Sequence, residues 1–215
     1  LTLTHGEKGS KHLPHSMAKE QLPEIRQSEE ICAAKILGIE HIEILDYPDG
    51  GLDEVSFAEI VRKVADVIKN IHPKTILTFG PCGLFGHRDH VATYKIVVEA
   101  VKMLEQTGYF PDLYGVEYPK EMNLAYHIEK RKKTPSHYTT FTQVPASQCE
   151  RVDITEYYPI KTAAILCYKS QGPEGYIECL ENFKEYRFSE YLLPLNIKLS
   201  FSESVFHKER EMVHL

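Results

Sequence analysis

Short β-branched runs alternate with helix-length amphipathic segments along most of this chain, and that alternation restricts its fold more than any other feature. Leu1 to Thr4 alternates as a strand and turns at His5-Gly6-Glu7-Lys8-Gly9-Ser10. The spacing predicts a helix over about Pro23 to Leu37, with Ile25, Cys32, Ala33 and Ile36 on its apolar side and Gly38 as its stop. His41 to Leu45 alternates as a second strand and ends in the turn Asp46-Tyr47-Pro48-Asp49-Gly50-Gly51. Ser56 and Glu59 have the spacing of a capping box. The helix they open turns Ile60, Val64, Val67 and Ile68 inward and stops before Pro73. Thr75-Ile76-Leu77-Thr78-Phe79 reads as a buried strand, Gly80 to Gly86 as a loop, and Val91 to Leu104 as a helix stopped at Gly108. Asp112 to Tyr118 is another strand. This βαβαβ rhythm predicts an α/β fold with a mostly parallel sheet and helices on both faces. Arg151 to Ile154 is predicted as a late strand, Tyr158 to Lys169 as a helix with Pro159 in its first turn, and Gly175 to Tyr186 as a second helix.

At 215 residues the chain is expected to be one domain, or one domain with a small appendage. Hydrophobic residues at 42% can build a core, and the net charge of -6 argues against nucleic acid or an anionic membrane as the main partner. No apolar run approaches the ~20 residues of a membrane span. The five cysteines are Cys32, Cys82, Cys149, Cys167 and Cys179, an odd number with no CxxC pair, which fits a reduced, cytoplasmic chain. The basic run Lys130-Arg131-Lys132-Lys133 reads as a solvated loop in preference to a phosphate-binding patch. Tyr157-Tyr158 and Tyr186 to Tyr191 read as core in preference to an oligomer surface, and a homo-oligomer stays open. Residues 198–215 show no pattern and are expected to be a loosely packed tail.

His87-Arg88-Asp89-His90 is the stretch richest in chemistry. It stands where a strand's carboxyl end meets the next helix, the place where open α/β sheets bind ligands. Histidine is the commonest metal ligand and the usual proton shuttle near neutral pH. A metal hydrolase needs imidazole or carboxylate ligands, an open position for water, and a further group to move protons. Asp89 can orient an imidazole by accepting its other N–H. The tetrapeptide alone fits equally well a helix capped by Asp89 with two surface histidines.

Other segments stand around it in order: Thr4-His5-Gly6-Glu7, Arg26-Gln27-Ser28-Glu29, Asp46-Tyr47-Pro48-Asp49-Gly50-Gly51 and Gly86-His87-Arg88-Asp89-His90. Val152-Asp153, Lys161-Thr162-Ala163-Ala164 and Lys169-Ser170-Gln171 follow. The series resembles the LmbE-like, or PIG-L, family of zinc-dependent N-deacetylases over roughly residues 1 to 190. The resemblance implies a three-layer Rossmann-like fold and hydrolysis of an N-acetyl group, usually on an N-acetylglucosamine-type sugar, with Zn2+ as cofactor and a small sugar as partner. It implies His90 as a zinc ligand and His87 as the group that stabilises the tetrahedral intermediate and protonates the leaving amine. It implies Asp89 as the carboxylate that holds His87, and Arg26 and Asp49, with Glu7 beside them, at the sugar.

The sequence departs from the family at one place. The family's His-Pro-Asp-Asp-Glu run supplies two zinc ligands and the general base, and no such run occurs here. His72-Pro73-Lys74 and Tyr47-Pro48-Asp49 lack the paired carboxylates. The run's place in the family is upstream of Leu1, so a truncated domain without its first βα unit is expected, inactive or metal-poor as it stands. The alternatives are a non-catalytic family member that only holds a sugar, and a phosphoesterase using His87, Asp89 and His90 with Cys82 or His5. Cys82 reads as an incidental cysteine in preference to a ligand.

Overall fold

Strands and helices alternate in the expected order. The computed structural model describes residues 1–9, 18–122, 144–182 and 186–195. Strand β1 is Thr2–Thr4, helix α1 Leu22–Leu37, β2 Ile44–Tyr47, α2 Phe57–Ile71 and β3 Thr75–Phe79. A single turn, α3 (Gly83–Gly86), leads into α4 (Arg88–Glu105), and β4 covers Asp112–Val116. Then come β5 (Glu150–Asp153), α5 (Tyr158–Ile165), α6 (Pro173–Asn182) and β6 (Ser189–Pro194). The basic run 130–133 and the tail 198–215 lie outside the described residues.

Crossover helices force parallel neighbours. β1 and β2 pair in parallel, and so do β3 and β4, from Thr75 opposite Asp112 to Phe79 opposite Val116. The late strand β6 runs antiparallel between β4 and β5, which gives the order β3-β4-β6-β5. Among the described residues β1 and β3 do not pair with each other, so the strands form two sheets. Leu77, expected to be buried, is 58% exposed, whereas Thr78 on the opposite face of the same strand is buried.

The core lies where α2 packs on α4. Ile60, Val64 and Ile68 of α2 are buried with Tyr94, Val101 and Leu104 of α4. Each such aliphatic side chain gains about 1.5–3 kcal/mol on burial. On the other pair of packed helices, α1 and α5, the expectation fails in part. Ile36 of α1 is exposed, and the buried positions are Leu22, Glu29, Ala33 and Ala34. α1 therefore buries a carboxylate where an apolar stripe was expected.

Other expectations are corrected locally. β2 begins at Ile44, three residues after His41. Ser56 caps α2 without a side-chain bond; its carbonyl accepts from the Glu59 and Ile60 amides, and the capping box does not form. The helix from Tyr158 stops at Ile165 because the chain then tightens into a turn at Lys169–Gln171. β6 carries Tyr191 into the core, whereas Tyr157 is exposed. Cys32 and Cys167 form a disulfide with Cα atoms 5.9 Å apart, against the expectation of a fully reduced chain. Among the described residues no helix is long and apolar enough to cross a membrane.

Candidate active site

A cavity of about 630 Å³ opens at the gap between β1 and β3. Leu1 to Thr4 line one side, and Phe79 at the end of β3 lines it too. Five of the six site residues singled out by sequence reach it: Arg26, Asp49, His87, Asp89 and His90. Glu7 is absent from its lining.

The loop after β3 sets the two histidines. Gly83 takes φ 55°, and a Cβ there would sit 2.9 Å from Val91 Cγ2 and 3.0 Å from the His90 Cβ. Glycine thus lets the loop close against the first turn of α4. His90 Nδ1 then lies 3.2 Å from the Gly83 carbonyl, and its ring stacks on Phe79 at 3.9 Å. A carbonyl only accepts, so Nδ1 carries the proton and the neutral ring holds its lone pair on Nε2. Burial, and then the charge of His87, lower the His90 pKa. A neutral, oriented imidazole is the form that binds a metal.

His87 is the exposed N-cap of α4, with its ring 4.6 Å from that of His90. Asp89 is buried, and its two oxygens accept from the backbone amides of Gly50 and Leu52. Among the described residues it makes no bond to His87; its carboxylate fixes the β2–α2 turn against the start of α4. Arg88 adds a second tie to the same turn, through Asp53 at 2.6 Å. The Arg88 hydrogen bond holds the Asp53 carboxyl below its usual range.

The other wall is built by two loops and α1. Arg26 donates through Nη1 to the Gly6 carbonyl and through Nη2 to the Gly9 carbonyl at 2.6 Å. Burial lowers its pKa, opposed by Asp49, Glu29 and Glu7. Glu7 accepts from the Asp49 amide at 2.9 Å, and Asp49 accepts from the Lys8 amide at 2.8 Å. Glu7 and Asp49 therefore clamp the β1 loop to the β2 turn, with Asp49 also facing the cavity.

These residues do not make a complete metal site. Among the described residues no group of three histidines, cysteines or carboxylates stands close enough to hold an ion. His90 has the protonation and orientation of a ligand, but one donor does not hold zinc against water. Cys82 does not add a second one. It does not line the cavity, and burial, and then Glu117, push its thiol up to about 11. The His5 ring is bonded to Asp46 at 2.7 Å. Neither Cys82 nor His5, the two extra groups that a phosphoesterase reading drew on, lines the cavity.

Two further residues, one at the cavity and one behind the loop after β3, had no role read from the sequence. Gln171 also lines the cavity, and Glu117 is buried at the end of β4 next to the Gly80 backbone. Gln171 stood in the Lys169-Ser170-Gln171 segment, a signal of resemblance with no role attached. Glu117 gave no signal, because a lone glutamate after a strand does not announce its burial.

Comparison with known proteins places the chain. Residues 1–101 match the family described as PIG-L, GlcNAc-PI de-N-acetylase. The mycothiol S-conjugate amidase of Streptomyces coelicolor is 30% identical over 218 residues, covering 81% of this chain and 73% of that enzyme. The chain belongs to the PIG-L/LmbE-like family. Within that family, a 1D-myo-inositol 2-acetamido-2-deoxy-alpha-D-glucopyranoside deacetylase of Catenulispora acidiphila is 26% identical over 129 residues, 50% of this chain and 42% of the enzyme. The chain spans less than half the length of that relative and of the similar deacetylase from Kineococcus radiotolerans. The N,N'-diacetylchitobiose deacetylase of Pyrococcus horikoshii shares the LmbE-like fold, with a TM-score of 0.62, 20% identity and coverage of 94% of this chain and 75% of that one.

Proposed function

We propose that this chain carries the sugar-binding and proton-donating part of a zinc-dependent N-deacetylase site acting on an N-acetylglucosamine-type sugar. The observation that supports it is the convergence of Arg26, Asp49, His87, Asp89 and His90 on one cavity at the gap between two sheets. Relatives named for deacetylating 2-acetamido sugars support the substrate class.

Hydrolysis of the acetamide breaks a C–N bond, and the departing amine is a poor leaving group unless it gains a proton. His87, exposed at the cavity and with its ring 4.6 Å from that of His90, is the donor in this reading. Water supplies the oxygen that leaves with acetate, and the His87 proton goes to the sugar nitrogen. Asp89 keeps His87 in place through the turn it anchors. His90 would be one ligand of a bound zinc, which would supply a Lewis acid for the amide carbonyl and a water of lowered pKa. The remaining ligands and the general base belong, in this reading, to a segment that fills the gap between β1 and β3.

Protein expressed from the reading frame extended upstream of Leu1 is expected to release acetate from N-acetylglucosamine compounds. His87→Ala should lower that rate by about 10²–10⁴-fold. Sugar binding without acetate release across a broad panel would assign the chain as a non-catalytic sugar-binding member. Neither binding nor release would overturn the proposal.

A further inference from the structure

The loop that holds His90 is strained at Leu84, which takes φ 64° directly after Gly83 at φ 55°. A side chain disfavours left-handed backbone, and such a conformation persists only where its surroundings impose it. Two bonds within the loop contribute. The Gly83 amide donates to the Gly80 carbonyl at 2.9 Å, and the Gly86 amide to the Cys82 carbonyl at 2.8 Å. The loop also needs support from behind, and Glu117, just after β4, stands there. A Cβ on Gly80 would collide with Glu117 Oε1, so the carboxyl occupies the place of the side chain that Gly80 lacks. A Cβ on Gly115 would sit 2.7 Å from the Gly80 Cα, so the start of the loop is packed directly on the β4 backbone. Glu117 is 1% exposed, and its own amide donates to the Tyr191 carbonyl of β6 at 3.0 Å, which fixes the root of the side chain. The Cys82 amide faces its carboxyl, short of a hydrogen bond of good geometry.

What the loop delivers is the orientation of one imidazole. The Gly83 carbonyl faces His90 Nδ1 at 3.2 Å, and that contact selects the ring with its proton on Nδ1 and its lone pair on Nε2. Glu117 does not line the cavity, so it acts through the loop and not on a bound molecule. We infer that Glu117 is a positioning residue for His90: by filling the space left by Gly80 it fixes the Gly80–Gly83 turn, and with it the carbonyl that sets the His90 ring. This inference rests on the reading of His90 as a functional group of the cavity.

The test is nitrogen NMR of the histidine rings, recorded on the chain without metal or sugar, with the His90 signal identified by its loss in His90→Ala. The wild-type ring is expected in the Nδ1–H form. Glu117→Ala empties the space under Gly80, and its His90 ring should leave that form. Gly80→Ala pushes the carboxyl out of the same space without deleting it, and should move the ring in the same way. Glu117→Gln keeps the shape of the side chain and should keep the wild-type ring. A loss of stability alone does not change the tautomer of the molecules that stay folded. An Nδ1–H ring in whichever of Glu117→Ala and Gly80→Ala folds would therefore overturn the inference. Loss of that form in Glu117→Gln would overturn it too, because filling the space would then not be enough. Acetate release by the extended protein reads the deacetylase proposal separately. Release with an unmoved ring would remove this inference alone, and a ring that moves as stated without release would remove the deacetylase proposal alone.

Discussion

Asp89 and Glu117 show how differently two buried carboxylates can be treated by one fold. Asp89 is spent on two backbone amides of the facing turn. Asp89→Ala leaves both amides unpaired, and a loss of about 1–3 kcal/mol in denaturant unfolding is expected. Glu117 is 1% exposed, and neither oxygen has a hydrogen bond of good geometry. Burial raises its pKa to about 7 from an ordinary 4.5, against the pull of the Cys82 amide. A raised pKa means that the folded chain keeps this proton after the unfolded chain has lost it. The stability it contributes is complete below pH 4.5 and is lost as pH rises to about 7. The loss amounts to about 3 kcal/mol at most. Glu117→Gln should therefore flatten the fall in stability between pH 5 and pH 8, read as urea midpoints. An unchanged slope would show that Glu117 ionises normally. At this scale the sequence revealed the residues that carry a motif and concealed those defined by a partner. His87, Asp89 and His90 stood together in four positions, whereas Glu29 and Ser170 meet only after folding.

Periodicity made the helices legible because their burial is set by neighbours in sequence. Ile60, Val64, Val67 and Ile68 of α2 were expected inward and all are buried. Ile60→Ala should cost about 2–5 kcal/mol, since Ile60 is fully buried and α4 packs on its helix. A cost below 1 kcal/mol by chemical denaturation would mean that the core is not where α2 meets α4. Strand burial was less legible, because it depends on which strands lie alongside. Leu77 sits in a run that reads as core, yet it is exposed on a strand paired at one edge. α1 was misread for a related reason. Its buried face is closed by Glu29–Ser170, and its exposed Cys32 is bonded to Cys167, contacts that no three- or four-residue spacing encodes.

At the largest scale, the described residues form two parallel strand pairs with a cavity at the break between them, the second pair extended by antiparallel β6 and then by β5. The α/β class and the order of elements followed from the strand-helix alternation, and the five cavity residues from the ordered motifs. The break itself, and the late strand β6, did not follow, because pairing partners are set by topology and not by local pattern. In the proposed site the zinc ligands that accompany His90 lie across that break. Zinc content measured on purified protein, for this chain and for protein from the reading frame extended upstream of Leu1, tests that claim most directly. Little zinc is expected on the chain alone, about one ion per extended molecule, and loss of that ion in His90→Ala. Tight stoichiometric zinc on the chain alone, or an extended protein whose zinc survives His90→Ala, would contradict it.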